Sequence, residues 1–259
     1  MSTFNPRTAA RYLFDAHRSR TNYRNLPPEI APRTITEAYA AQAALAPLLE
    51  AQFGPIAGLK IATTTKVMQA LMGIDHPCGG LIFARRIHAS PARIRLADHL
   101  HVMIECELAL RIGRDLAGPA GSFTAENVAP AVAAAMPAFE LIEDRNADYK
   151  STSALSMIAD NCWNAGIVVG PDVAFDPARP PVRTLGRLAI NGREGHEGRT
   201  EDPLATLAWI ANLADQNGRS LAAGMVVITG SVIPTLPIAA GDRFVFALDG
   251  LGSVEITAA

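Results

Sequence analysis

Glu105 and Glu107 stand two residues apart in the segment His101-Val-Met-Ile-Glu-Cys-Glu-Leu-Ala-Leu-Arg-Ile112. Val102, Ile104, Cys106, Leu108, Leu110 and Ile112 recur with strand period and make one apolar face. Met103, Glu105, Glu107 and Ala109 fall on the other, so two carboxylates leave one β-strand side by side. Like charges so placed repel, and burying them unpaired is expensive. A hard divalent cation, Mg²⁺ or Mn²⁺, would relieve that repulsion, since oxygen ligands suit it. Taken alone, a Glu-x-Glu pair reads more simply as the solvated face of a strand; the rest of the chain changes that reading.

Three further places could carry chemistry. Lys60 lies on a short apolar strand with Gly58, Leu59 and Ile61. There it either snorkels to water or is buried with a lowered pKa, suited to proton transfer. Asp160-Asn161, in Ile158-Ala-Asp-Asn-Cys-Trp-Asn164, is a polar knot between apolar segments that either binds a ligand or shapes a turn. Thr229-Gly230-Ser231 follows an apolar strand, and its backbone N–H groups could cradle a carboxylate or simply end the strand. Gly250-Leu-Gly-Ser253 is no dinucleotide fingerprint, because no helix pattern follows it. The histidines at 17, 76, 88, 99, 101 and 196 lack metal-ligand spacing, and neither a Gly-x-Ser-x-Gly elbow nor a phosphate loop occurs.

The elements that must position these groups can be read coarsely. Thr8–Arg18 predicts a short amphipathic helix, and Asn25–Pro32 a proline-rich connection. Thr34 with Glu37 makes a capping box ahead of a stripe of Ala38, Ala41, Leu45, Leu48 and Leu49. Lys66–Met72 predicts a helical turn, and strands dominate from about Leu81. The alanine-rich Thr124–Met136 predicts a helix, followed by a strand over Pro137–Ile142 that carries Glu140 between Phe139 and Leu141. Gly166–Gly170 reads as a buried strand. Asn191-Gly192 signals a type I′ hairpin. Asp202, Pro203 and Gly218 bracket a helix, and Met225–Thr229 and Arg243–Leu248 close the chain as strands. Helices first and then mainly strands argue an α+β fold.

The composition narrows the classes. With 259 residues, 49% apolar and 19% charged, the chain can build a substantial core. A formal net charge of −2 offers no basic footprint for nucleic acid. No apolar run approaches the roughly 18 residues a membrane span requires. The three cysteines, Cys78, Cys106 and Cys162, make neither a disulfide framework nor a zinc knuckle. Cys106, on the apolar face, reads as a small core residue. The first residues lack the apolar core of a secretory signal, so a cytoplasmic location is expected.

Together these segments resemble the 2-keto-4-pentenoate hydratase and oxalocrotonate decarboxylase group of the fumarylacetoacetate hydrolase superfamily. The resemblance runs from about Leu48 to the C-terminus. It rests on Gly58-Leu-Lys60, Gly73-Ile-Asp-His-Pro77, Ile104-Glu-Cys-Glu-Leu-Ala109, Pro137-Ala-Phe-Glu140 and Ala159-Asp-Asn161. Asn191-Gly192, Pro203-Leu-Ala-Thr-Leu-Ala-Trp209, Thr229-Gly-Ser231 and Gly241-Asp242 follow in order. It implies a mixed β-roll over 56–259 with a helical N-terminal segment over 1–55, usually in a homo-oligomer. It also implies Mg²⁺ or Mn²⁺ on Glu105, Glu107 and Glu140, with a 2-oxo acid chelating the cation. Lys60 matches the proton-transfer lysine. Leu59, Asp160, Asn161, Asn164, Thr229, Gly230 and Ser231 fall on the substrate side, Asn164 where relatives often carry serine. Two departures stand out. Many hydratases of the group carry Asp-x-Pro-Asp after the lysine strand, where this chain has Asp75-His-Pro-Cys78, leaving Asp75 or a metal-bound water to assist Lys60. Met103 stands where relatives often have arginine. The implied activity is hydration of a 2-hydroxy-2,4-dienoate to a 4-hydroxy-2-oxo acid, as in meta-cleavage aromatic catabolism. Decarboxylation of an oxalocrotonate-like acid, acylpyruvate hydrolysis, or a non-catalytic 2-oxo acid-binding subunit are the alternatives.

Overall fold

Asn5 caps the first helix by accepting from the backbone N–H groups of Arg7 and Thr8, with Pro6 at its first position. That helix, α1 (Pro6–Arg18), packs on α2 (Ile35–Phe53) in a computed structural model that describes residues 4–116, 118 and 121–259. Residues 1–3, part of the predicted helical segment and of the leader reading, lie outside the described residues. Thr34 caps α2 through Glu37 N–H, but the Glu37 carboxylate reaches back to Arg33 N–H at 2.7 Å, one residue upstream of a true capping box. The chain continues through β1 (Ile56–Ala62), α3 (Lys66–Met72), β2 (Cys78–Phe83), β3 (Ile87–Ala89), β4 (Ala92–Ile94) and β5 (Val102–Ile112). Next come α4 (Ala125–Val128), β6 (Val132–Glu143), α5 (Ala154–Ala159), β7 (Asn164–Val169) and β8 (Val173–Ala174). Hairpin β9 (Leu185–Ile190) and β10 (Arg193–Arg199), α6 (Pro203–Gln216), β11 (Val226–Pro237), β12 (Arg243–Leu248) and β13 (Gly252–Ala258) complete it.

The large sheet runs β2-β1-β11-β5-β6-β7-β3, with β8 beside β6; a smaller sheet runs β10-β9-β12-β13-β4. The β1–β11, β3–β7 and β13–β4 pairs are parallel and the others antiparallel, so the expected mixed sheet of an α+β fold is what the structure shows. β2 returns against β7, so the large sheet curls into a roll. Its outer face carries Leu59, Ile61, Ile104, Cys106, Leu108 and Phe139 into the main core. That core also contains Leu13 and Leu45 of the N-terminal helices, Leu207 of α6, and Phe246 and Val254 of the small sheet. Its inner face is a second, narrower core of Ile82, Ala109, Met136, Ala138, Ile167 and Ile228.

Two predicted elements need correction. The run Thr124–Met136 is one helical turn, a 3₁₀ turn at Ala129–Ala131, and then strand from Val132. Alanine favours helix in isolation, but pairing with β5 and burial of Ala134, Met136 and Ala138 in the roll interior decide. The strand predicted to stop at Thr229 continues to Pro237, with register breaks around Gly230 and Ser231 in place of a terminating loop. The I′ hairpin forms as expected, Asn191 and Gly192 having φ of 54° and 77°. Among the described residues no helix is long and apolar enough to cross a membrane.

Candidate active site

Strand register assembles the carboxylates. In the β5–β6 ladder Glu105 lies directly opposite Glu140, and Glu107 opposite Ala138. Cross-strand partners and residues two apart share a face, so all three acids point into one end of the roll. Lys60 is paired with Ile228 and Gly80 and so joins them from β1. Gly80 is required there: a Cβ would come within 2.8 Å of the Asn161 carbonyl oxygen and 3.1 Å of the Lys60 side chain.

Glu105, Glu107 and Glu140 each offer a carboxylate oxygen, all within 4.8 Å of one another. Glu107 and Glu140 are fully buried. Each keeps one oxygen engaged: Glu107 Oε2 accepts from Gly230 N–H at 2.6 Å, and Glu140 Oε1 accepts from Lys60 Nζ and from Asn164 Nδ2, both at 2.8 Å. The other two, Glu107 Oε1 and Glu140 Oε2, are buried with no hydrogen-bond partner. Thr235 Oγ1 donates to Glu105. Buried polar atoms are nearly always paired, and two orphaned carboxylate oxygens in one cluster of three acids fit a hard divalent cation such as Mg²⁺ or Mn²⁺.

The electrostatics without a cation are those of crowded acids. Burial, reinforced by Glu140 and Glu105, raises the Glu107 carboxyl well above the ordinary range. Burial also pushes Glu140 up to about 7; Lys60 opposes this and Glu105 adds to it. Burial acts to lower Lys60, but Glu140 and Glu105 outweigh it and hold the ammonium charged. The buried location expected for Lys60 is therefore found, while the lowered pKa is not: a carboxylate at 2.8 Å, unseen from Lys60's own segment, reverses the sign.

A cavity of about 460 Å³ opens beside the cluster. Lys60, Glu105, Gly230 and Ser231 line it, facing an apolar wall that includes Met68, Met157 and Trp163. The remaining predicted residues lie elsewhere. Leu59 points to the opposite face, into the main core. Asp75 is exposed, on a separate depression beside Ile74 and His76. Asp160 is buried in ion pairs with Arg145 at 2.5 Å and His17 at 2.6 Å. Asn161 pins the turn to β2, accepting from Leu81 N–H at 2.7 Å and donating to its carbonyl oxygen at 2.9 Å. Thr229 donates to the Leu108 carbonyl oxygen at 2.9 Å. The anion-cradling N–H predicted at Gly230 exists, and the carboxylate it meets is Glu107 of the protein itself. Cys78 lies 3.2 Å from Thr63 Oγ1 and 3.7 Å from Cys162 Sγ. Sequence reasoning missed Thr235, Tyr149 and Trp163, which line the cavity. Only Thr235, four residues after Ser231 on one strand, carried a signal in its position.

Known proteins resemble this chain along its length. It is 28% identical over 256 residues to the 2-hydroxyhexa-2,4-dienoate hydratase of Comamonas testosteroni, covering 96% of each chain. It is 30% identical over 255 residues to the TodF product hydratase of Pseudomonas putida F1, covering 96% of this chain and 93% of that one. The 4-oxalocrotonate decarboxylase from Pseudomonas putida G7, solved with magnesium and adipate, superposes over 100% of both chains with a TM-score of 0.88 at 24% identity, a likeness of fold. Residues 71–258 match the family described as fumarylacetoacetate (FAA) hydrolase C-terminal. With that match spanning well over half of its length, the chain belongs to the fumarylacetoacetate hydrolase C-terminal family.

Proposed function

We propose that this protein is a Mg²⁺- or Mn²⁺-dependent hydratase that adds water to a 2-hydroxy-2,4-dienoate and yields a 4-hydroxy-2-oxo acid. The observation that carries this reading is the pair of orphaned oxygens on Glu107 and Glu140, placed with Glu105 and Lys60 at the edge of a cavity with an apolar wall. Glu105, Glu107 and Glu140 would hold the cation, which when bound supplies positive charge against the oxygens of a 2-oxo acid. Lys60, kept charged by Glu140, holds a proton at Nζ where the cavity meets the carboxylates. Conversion of the 2-hydroxy-2,4-dienoate to the 4-hydroxy-2-oxo acid takes up protons at the far carbon and at C3. It releases them from the 2-hydroxyl and from the water that adds at C4, so each proton a store such as Lys60 gives can be returned to it. Met68, Met157 and Trp163 offer the hydrocarbon chain an apolar surface and exclude bulk water. Names of hydratases among full-length relatives support the same reading.

The thiol at Cys78 favours a second reading. Water addition gains from a carboxylate base near the lysine, whereas loss of CO₂ from an oxalocrotonate-like acid needs no base to activate water. Purified protein with Mg²⁺ and freshly generated 2-hydroxypentadienoate tests the first reading by loss of dienol absorbance above spontaneous ketonisation. Mass spectrometry of the products separates gain of water from loss of CO₂ and from acylpyruvate cleavage into two fragments. Binding of Mg²⁺ and oxalate without any turnover would instead mark a 2-oxo acid-binding subunit. Self-association belongs to this reading too, and light scattering on the purified chain measures it.

A further inference from the structure

Beside the turn 160–164 lies a second cavity, of about 220 Å³. Four arginines line it: Arg18, Arg20, Arg86 and Arg145. Its acids are already committed. Asp160 is bound to Arg145 and His17, Glu143 to His99 and to the N–H groups of Leu100 and His101, and Asp98 lies 3.8 Å from Arg95. Two of the arginines are not satisfied. Arg145 is 3% exposed, and its Nε and Nη1 are buried without any hydrogen-bond partner. Arg86 stacks its guanidinium 4.0 Å from the centre of the Phe53 ring and has no acceptor among the described residues. Burial lowers its pKa, and the nearby charges of Glu143 and Asp98 offset this only in part. A guanidinium without an acceptor at Arg86, and two free N–H donors on the otherwise paired Arg145, are what planar, bidentate recognition of an anion uses. The remaining wall includes Leu49, Phe53, Phe83 and Trp163, which suits hydrocarbon.

We infer that this second cavity is a binding site for a small carboxylate with an apolar body, held by Arg86 with Arg145 behind it. Its size lies below the roughly 300–1,000 Å³ of pockets for drug-sized ligands, so the ligand is a short acid. The site is placed to be felt at the carboxylate cluster. Trp163 borders both cavities, the Cys162 carbonyl oxygen accepts from Lys60 at 3.3 Å, and Asn164 donates to Glu140. Asn161, Cys162 and Trp163 all have positive φ (56°, 48° and 58°), a strained run whose neighbours must hold it in place.

The test is calorimetric titration with hexanoate of full-length protein saturated with Mg²⁺ and oxalate, which on the proposed function occupy the carboxylate cluster of the first cavity. One saturable site is expected, weakened at least about tenfold by Arg86→Gln, with no binding of hexan-1-ol. Arg86 does not line the first cavity, so this variant reports the second alone. Because Arg145→Gln could unfold the chain, the half-buried Arg86 is the deciding position. Absence of saturable binding, or affinity unchanged in Arg86→Gln, overturns the inference. Inorganic phosphate binding as tightly as hexanoate overturns it as well, since the apolar wall would then contribute nothing.

Discussion

The inner face of the roll has two ends made by the same strands and the same register, and they could hardly differ more. At one end Ala109, Ala134, Met136, Val226 and Ile228 form a buried apolar plug. At the other, Glu105, Glu107, Glu140 and Lys60 crowd together with two carboxylate oxygens left unpaired. Strand β5 passes from one end to the other in the four residues from Glu105 to Ala109. The plug stabilises the fold. The charged end strains it, and it is tolerated because the plug and the outer core hold the backbone in position. Strain concentrated where polar atoms lack partners marks the end at which a ligand belongs.

The largest expected effect comes from Glu107→Gln. It removes one ligand of the cluster, so turnover should fall by about a thousandfold or more, the loss of several kcal/mol of charge stabilisation. It also replaces a buried carboxyl whose ionisation burial and two neighbouring acids oppose with a neutral amide of the same shape, so the metal-free variant should melt no lower than the parent. Differential scanning calorimetry with and without Mg²⁺ checks both ends: the parent should gain stability from the cation and the variant should gain none. A variant that melts far lower without metal would show Glu107 to be a structural residue.

Lys60→Met should act in both regions at once. Turnover should fall by about 10²–10³-fold through loss of the proton store. Metal-free stability should fall by about 3–5 kcal/mol, because Glu140 loses the charge that, among the described residues, offsets its burial. Mg²⁺ should restore much of that stability, which urea unfolding at two metal concentrations would reveal.

The acids also predict a pH dependence. Glu107 and Glu140 titrate above the ordinary 4.5, Glu140 at about 7, so the folded chain holds protons that the unfolded chain releases. The stability tied to them is complete below about pH 4.5 and is lost as pH rises through 7. Metal-free protein should therefore melt progressively lower between pH 5 and 8. Mg²⁺ affinity should climb across that same window, as the ligands deprotonate. A flat profile in metal-free protein would mean that the carboxylates do not crowd one another.

Much of the charged end was legible in the sequence, because strand period alone places Glu105 and Glu107 together and the resemblance adds Glu140 and Lys60. The plug was not. Ala134 and Met136 sit in a stretch whose composition favours helix, and it is pairing with β5 and packing in the roll, both set by residues distant in sequence, that make it a strand. The roles of Asp160 and Asn161 were equally hidden. Their polarity signalled a turn or a ligand, and it is Arg145, His17 and Leu81, all non-neighbours, that settle the turn. The sign of the Lys60 shift depended on Glu140, 80 positions away, for the same reason.

Ala138 sits at the boundary, opposite Glu107 in the ladder and fully buried, while Ala134 lies deeper in the plug opposite Arg111. Replacing either with valine adds volume to a packed interior and should lower stability by about 1–3 kcal/mol. Their effects on the cation should differ. At Ala138 the added methyl groups press on the side chain directly across the ladder, displacing Glu107 from the position set by its 2.6 Å bond to Gly230 N–H. Mg²⁺ binding should weaken roughly tenfold, as for other perturbed supports of metal ligands. At Ala134 the added methyl groups press on Arg111, four residues along β5 from Glu107, and Mg²⁺ affinity should stay within a factor of about two. Equal losses of affinity in the two variants would mean that the roll transmits strain along its whole interior, and that plug and charged end are one cooperative unit.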